Sequence, residues 1–423
     1  MHNPLIRPHL LRSAALGALA GVTALVSGGM PASGAPGTAW SATVVVQNLA
    51  DTPNEAAVSY YSTTGVLMKT YPLGGIPPKG TAYLDASQVG ELPANFAGGA
   101  VVSSAQPVAV AYVGSDTGAP AARNHLAGPA QSTGLATSWL PEIHNRYADK
   151  LSTIVVQNPQ TTALGVTLRF VERFSGSLTA TLQQVVPPNA THYYDAANLP
   201  ARVDLPAGWT GSVIVQTDGP PAVVAVQQRT LRSDQSTLYT AVESGTAAWL
   251  PEVMYDYGDI RLNSFIRLQN VGDTTLNARV TYFNDNGDAV AAQDVGLAPL
   301  QTQVVIAGSA GLPPGFRGAA QVQATGSIAA VVRQSSAVND LDVTYSPPDR
   351  DTQRAALPYV QWAPTGNPAA YRTTVAAMNT LPAPATITVR YYDPNGALRA
   401  APSATVPPNG VFRSRSEGHT SEL

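Results

Sequence analysis

The chain has 423 residues, 12% of them charged, with 24 Lys and Arg against 27 Asp and Glu and no cysteine. The missing cysteine excludes disulfides, a thiol nucleophile, a zinc ribbon and lipid attachment through a lipobox. A mildly acidic balance without a basic stripe excludes the electrostatic footprint that a nucleic acid needs.

Residues 1–35 have the layout of a secretion signal: Arg7 and Arg12, an apolar run from Ala14 to Val26, then small residues. Ser33-Gly34-Ala35 fits the small-x-small cleavage rule, but Pro36 would follow the cut, so a site nearer Ala32 or Ala39 also fits. The apolar run is shorter than the ~20 residues that cross a bilayer, and no later segment is longer. The mature chain is therefore expected to lack a membrane span. Export without disulfides fits a bacterial exterior, and the fold must then rest on core packing alone.

Beyond the leader, one pattern is written four times. It opens on a strand ending in an amide pair, Gln47-Asn48, Gln157-Asn158 and Gln269-Asn270, with Met378-Asn379 as a weaker fourth; the spacings are 110, 112 and 109 residues. An aromatic strand follows (Tyr60-Tyr61, Phe170, Tyr282-Phe283, Tyr391-Tyr392), then a glycine turn at Gly65, Gly176, Gly287 and Gly396. Pro77-Pro78, Pro187-Pro188 and Pro407-Pro408 come next, with Pro299 alone in the third copy. A Leu-Pro element then leads to an aromatic-x-Gly step at Phe96-Ala97-Gly98, Trp209-Thr210-Gly211 and Phe316-Arg317-Gly318. Two valine-rich strands close each copy. A period this long lets each copy bury its own core, unlike a solenoid repeat.

The segments are short, rich in Val, Thr and Tyr, and bounded by Gly, Pro, Asn or Asp, which predicts strands joined by turns. Asn286-Gly287 and Asn395-Gly396 are expected to supply the positive φ angles of tight hairpins. The predicted fold is all-β, a tandem array of immunoglobulin-like antiparallel β-sandwich domains with the last one incomplete. Its expected boundaries are 38–138, 139–248, 249–356 and a truncated 357–414. Residues 415–423 abandon the apolar alternation and read as a translated adapter sequence.

Three joints share a phrase: Trp139-Leu140-Pro141-Glu142-Ile143, Trp249-Leu250-Pro251-Glu252-Val253, and Leu357-Pro358-Tyr359-Val360 with Trp362 nearby; Trp40 marks the first copy. Trp139, Trp249 and Trp362 are thus candidates for packing between domains or for stacking on a sugar face. Stretches Ser236 to Glu243 and Asp342 to Tyr345 alternate like strands, so an added hairpin or edge strand is expected in each joint, giving a semi-rigid rod.

No catalytic motif stands up in context. Asp116-Thr117-Gly118-Ala119 matches the aspartic-protease phrase, but it lacks the preceding hydrophobic strand and the second copy that such chemistry requires, and reads as a polar turn. His125, His144 and His192 are isolated. Asn284, Asn286 and Asp288 surround Gly287 without the spacing of an EF-hand loop. No cofactor is expected. Calcium, if bound anywhere, would belong at the joints, near Glu142, Asp149, Glu252, Asp256 and Asp259. The recurring Gln-Asn pairs are expected to satisfy turn groups.

Through Ile154-Val155-Val156-Gln157-Asn158, Pro187-Pro188, the aromatic-x-Gly step and Pro107-Val108-Ala109-Val110, the chain resembles the tandem immunoglobulin-like units of secreted or surface proteins of environmental bacteria, particularly the Chloroflexi. The resemblance covers nearly the whole mature chain. It implies an exported, non-enzymatic scaffold at the cell surface or outside the cell, whose partner is an unidentified surface polymer, glycan or protein. The alternatives are a carbohydrate-binding array and the accessory region of a larger secreted enzyme.

Overall fold

The computed structural model describes residues 22–24, 40–93, 96–116, 125–200, 203–232, 235–336, 338, 341–347, 352–360 and 373–415. Among them the regular structure is all strand, apart from two 3-10 turns at Ala86–Gln88 and Ala307–Ala310. No helix there is long and apolar enough to cross a membrane.

The strands fall into four groups along the chain. The first holds β1 (Val22–Ala24), β2 (Trp40–Asn48), β3 (Asn54–Ser62), β4 (Leu67–Ile76), β5 (Thr81–Asp85), β6 (Gly98–Ser104), β7 (Val108–Asp116) and β8 (His125–Pro129). They form two antiparallel sheets, β1-β6-β3-β4 and β5-β2-β7-β8. The second holds β9 (Thr137–Tyr147), β10 (Lys150–Gln157), β11 (Leu164–Glu172), β12 (Leu178–Val186), β13 (Thr191–Asp195), β14 (Trp209–Thr217), β15 (Val223–Thr230) and β16 (Ser236–Thr240). Its strand order is the same, β12-β11-β14-β9 and β13 and β15-β16 around β10, and the two sheets join where β9 pairs with β10 beside a bulge.

In the third group, β17 (Gly245–Tyr255), β18 (Asn263–Asn270), β19 (Leu276–Phe283), β20 (Ala289–Leu297) and β21 (Thr302–Ile306) precede one long strand, β22 (Phe316–Ser335), and β23 (Asp342–Tyr345). The first half of β22 pairs with β17 and β19 and its second half with β18 and β23, so one strand does the work of β14 and β15. The fourth group holds β24 (Thr374–Met378), β25 (Ala385–Thr388), β26 (Tyr391–Tyr392), β27 (Leu398–Ala400), β28 (Ser403–Val406) and β29 (Val411–Arg415). Among the described residues these pair as β24-β29, β25-β28 and β26-β27.

Period-two alternation makes these sandwiches. In β11, Leu164, Val166, Leu168 and Phe170 are buried while Gly165, Thr167 and Arg169 between them are half-buried. The inward rows meet equivalent rows of the facing sheet, Ile154 and Val156 on β10 and Val224 and Val226 on β15, in one core cluster. Fully burying each such side chain contributes about 1.5–3 kcal/mol. The joint stretches carry the expected edge strands: β8, β16 and β23 each lie along the outer edge of β7, β15 and β22.

The amide pair divides its labour, which corrects the expectation that both amides serve turns. Asn158 Nδ2 donates to the carbonyls of Thr162, Val186 and Pro187, and its Oδ1 accepts from Gln160 N. Asn48 and Asn270 repeat this clamp, and Asn379 holds Ala383 O, Val406 O and Leu381 N in the same way. The glutamine points the other way, toward the preceding group: Gln269 Nε2 donates to Ser212 Oγ at 2.7 Å.

The turns also differ from expectation. Of Asn286 and Gly287 only the glycine has positive φ (81°), and the hairpin carries a bulge at Tyr282/Phe283, so a three-residue loop replaces the two-residue Asn-Gly turn. Each Pro-Pro loop is a type II turn, with Pro78, Pro188, Pro299 or Pro408 second and Lys79, Asn189, Leu300 or Asn409 third at φ of 58 to 60°.

These two turns join the groups. A type II turn flips its central peptide, so the proline carbonyl points outward. A Cβ placed on Gly65, Gly176, Gly287 or Gly396 would stand 1.9, 2.2, 2.0 or 1.9 Å from the carbonyl oxygen of Pro188, Pro299, Pro408 or Pro78. Only glycine admits that approach. The first group thus touches the second, the second the third, the third the fourth, and the fourth the first. Backbone bonds mark the same seams: Thr302 N to Arg173 O, Val411 N to Asp285 O, and Thr81 N to Pro394 O, at 3.1, 3.0 and 3.0 Å. The contacts therefore close a circuit, and the extended rod expected from the sequence is not formed.

Strand β1 lies inside the predicted leader. It pairs with β6, Val22 opposite Val102, where β9 places Ser138 opposite Val215 of β14.

Candidate functional site

The densest set of titratable side chains lies between the second and third groups. Strand β9 carries the phrase from Trp139 to Ile143, and a bulge against β14 lets Leu140 and Ile143 both enter the core of the second group. Glu142 then faces the third group, fully buried. Its Oε1 accepts from Arg267 Nη2 at 2.9 Å and from His144 Nε2 at 3.0 Å, with Arg333 Nη1 at 3.6 Å. The backbone carbonyl of Glu142 accepts from Tyr239 Oη at 2.7 Å and Gln228 Nε2 at 2.9 Å. Beside it, buried Lys150 Nζ meets Asp342, whose other oxygen lies 3.5 Å from Arg333 Nε.

Electrostatics fix the protons. Burial alone would raise the Glu142 carboxyl, but Arg267, the His144 hydrogen bond and Arg333 together hold it well below the usual carboxylate range. Burial brings the His144 imidazole down to about 4, against the pull of Glu142 and with the help of both arginines. His144 is therefore neutral near pH 7: Nε2–H donates to Glu142, and Nδ1 accepts from Thr210 Oγ1 at 3.0 Å. Such an arrangement does not exchange protons near neutrality. It locks two sheets together through one desolvated carboxylate between two guanidinium groups.

The next joint repeats the plan with different cations. Glu252 Oε1 pairs with Arg317 Nε at 2.7 Å and Oε2 with Arg413 Nε at 3.0 Å. Tyr345 Oη and Gln334 Nε2 hold its backbone carbonyl as Tyr239 and Gln228 hold that of Glu142. Arg413 also reaches Gly318 O at 3.1 Å and Asp285. Where the circuit closes, the phrase has Tyr359 in place of glutamate, and it packs on Val45, Ala111 and Val113. Those positions correspond to Arg267, Val331 and Arg333 by register, so an apolar contact replaces the ionic one.

Solvent meets a different surface. On the outer face of β11, β12 and β14, Thr167, Gln183, Val185, Gln216 and Asp218 line an open groove of about 620 Å³. Gly165 forms its floor and donates from its backbone N to Asp218 Oδ1 at 3.0 Å.

Of the residues singled out by sequence, Trp139 and Trp249 lie on β9 and β17, both half-buried, and Trp139 packs against the core of the second group. Trp362 lies outside the described residues, as do Thr117 to Ala119 and residues 416–423. Asp116 ends β7, opposite Trp40. Among the acidic joint residues, Glu142 and Glu252 are held by arginines as above, Asp256 by Arg261 at 2.5 Å, and Asp149 by Arg232 at 3.6 Å. No group of three or more His, Cys, Asp and Glu side chains is placed to hold a metal among the described residues. Sequence reasoning missed Arg267, Arg333 and Arg413 as partners of the joint glutamates. The available signal was an arginine inside an apolar run, as in Phe265-Ile266-Arg267-Leu268, which a buried strand tolerates only with a counter-charge.

No protein-family model matches the chain, and no curated protein matches it.

Proposed function

We propose that the chain is an exported, non-enzymatic scaffold of four tandem sandwich repeats, acting at the cell surface or outside the cell as a structural or adhesive module. One observation carries this reading: deeply buried charged groups, Glu142, Arg267, Asp342, Lys150, Arg413 and Arg333, are spent on joints between groups. Repeated faces held at fixed spacing gain avidity for a repetitive polymer without a strong single site. Its partner on this reading is a surface polymer, glycan or protein, and its kin are secreted proteins of environmental bacteria.

A glycan is the partner class favoured by a specific observation. The groove over Gly165 offers amides from Gln183 and Gln216 and a carboxylate from Asp218, donors and acceptors suited to sugar hydroxyls. The test is retention of the purified chain on immobilised envelope polysaccharides, beside the Gln183→Ala/Gln216→Ala variant. Retention reduced severalfold in the variant supports the glycan reading. Retention unchanged by the variant moves the contact off this groove, and hydrolysis of any polysaccharide by the wild-type chain refutes the non-enzymatic scaffold.

A further inference from the structure

The chain has three lysines, and one of them is placed unlike the others. Lys69 and Lys79 keep side-chain exposures of 33% and 30% in their pairs with Glu91 and Asp51. Lys150 keeps 9% and faces Asp342, which keeps 7%. The other cations at the joints beside Glu142 and Glu252 are arginines: Arg267 and Arg333 at one, Arg317 and Arg413 at the next. Buried arginine stays protonated, whereas buried lysine gives up its proton under desolvation and becomes a nucleophile. Charge alone does not explain a lysine at this one place.

The atoms around it are arranged for reaction. Lys150 Nζ meets Asp342 Oδ2 directly, and its other hydrogen bond goes to Thr230 Oγ1 at 3.4 Å. Asp342 Oδ1 is buried without a hydrogen bond, and Arg333 Nε stands 3.5 Å from it. Burial first, then Arg333 and Arg267, bring the Lys150 ammonium down to about 8 against the pull of Glu142 and Asp149. Amine and carboxyl therefore face each other out of water, with a cation beside the carboxyl oxygen.

Backbone pairing fixes both partners. Lys150 opens β10 opposite Tyr147 and Thr230, and Asp342 opens β23 opposite Ser335. Strand β23 is laid on the second group by two bonds: Thr344 N donates to Thr237 Oγ1 at 2.8 Å, and Ser346 Oγ donates to Thr240 O at 2.7 Å. Reacting groups held on paired strands avoid the entropy loss of a bimolecular encounter.

We propose that Lys150 and Asp342 join spontaneously in an amide bond, a covalent staple between the second and third groups. One ammonium proton passes to Oδ2, leaving a neutral amine and a carboxylic acid. Nζ then bonds to Cγ, and the negative charge gathers on Oδ1 against the Arg333 guanidinium. A second proton moves from Nζ to the Oδ2 hydroxyl, the Cγ–Oδ2 bond breaks, and one water leaves. The step consumes no oxidant or co-reactant. Spanning 192 residues in a chain without cysteine, the link constrains the unfolded chain as a disulfide would.

Intact mass spectrometry of the purified full chain, denatured before injection, reads the bond. The expected mass lies about 18 Da below that of the unlinked chain, the loss of one water. Protease digestion then yields one branched peptide joining the segment of Lys150 to that of Asp342. Lys150→Arg and Asp342→Ala each restore the unlinked mass, and the mass and branched peptide of the wild-type chain decide by themselves if either variant does not fold. Folded wild-type protein that keeps the unlinked mass above pH 8, where the Lys150 amine is mostly uncharged, overturns the proposal. Water loss mapped to another pair of residues, or retained in folded Lys150→Arg, overturns it as well.

Discussion

Replacing Gly176 by alanine tests whether the seam between groups is built on contact with the proline carbonyl. Gly176 has φ of 71°, and its added Cβ would stand 2.2 Å from Pro299 O and 3.0 Å from Gln301 N. Gly208, in the same group, has φ of 86° and nothing within 4 Å of its added Cβ. Both variants incur the left-handed backbone penalty of about 1–2 kcal/mol. Only Gly176→Ala must also move the third group away by roughly 1 Å to restore ordinary contact. That displacement stretches two bonds across the seam, Thr302 N to Arg173 O at 3.1 Å and Gln301 Nε2 to Phe174 O at 2.7 Å. Each contributes about 0.5–1.5 kcal/mol. Gly176→Ala is therefore expected to destabilise by about 1–3 kcal/mol more than Gly208→Ala. Urea denaturation of both variants measures the difference, and amide exchange at Thr302 shows whether the seam has opened. Equal loss in the two variants, with Thr302 still protected, would refute the carbonyl-contact account.

Other consequences are equally direct. His144 holds its folded pKa at about 4 against an ordinary 6.5, so the unfolded chain binds its proton first. Stability is then complete above pH 6.5 and declines as pH falls toward 4, by about 3 kcal/mol in all. Stability measured against pH should flatten over that window in His144→Gln; an unchanged slope would contradict the buried neutral imidazole. Glu142→Gln leaves Arg267 buried without its counter-charge, Arg333 keeping Asp342, and should cost about 3–5 kcal/mol. Adding Arg267→Met to that variant should recover part of the loss in a double-mutant cycle, and strict additivity would argue against direct coupling. Because arginines hold Glu142, Glu252 and Asp256, a chelator is expected to leave the denaturation curve unchanged; a downward shift reversed by calcium would show a metal at the joints. Small-angle scattering should give the compact profile of a closed circuit, and an extended profile would contradict the contact between Gly396 and the Pro78 carbonyl.

Much of the fold could be read from the chain because local physics carries it. Alternation at Leu164, Val166, Leu168 and Phe170 demands a two-faced strand, and Asn158 and Pro188 constrain their own turns within a few residues. The edge strands expected within Ser236 to Glu243 and Asp342 to Tyr345, and found at Ser236–Thr240 and Asp342–Tyr345, follow from the same periodicity. Local signals gave no warning of long-range use. Gly287 reads as a hairpin residue, and nothing near it shows that its bare Cα also admits the carbonyl of Pro408, 121 residues away. Glu142 and Arg267, 125 residues apart, read separately as an acidic joint residue and an odd cation in an apolar run. What the sequence alone determined was the strands and the places where they turn, since backbone preference and apolar period act over a few residues. Which groups touch, that the fourth returns to the first, and that the joint glutamates meet arginines in the dark of an interface were decided only by tertiary packing, because steric fit and charge pairing become specific only when distant surfaces meet.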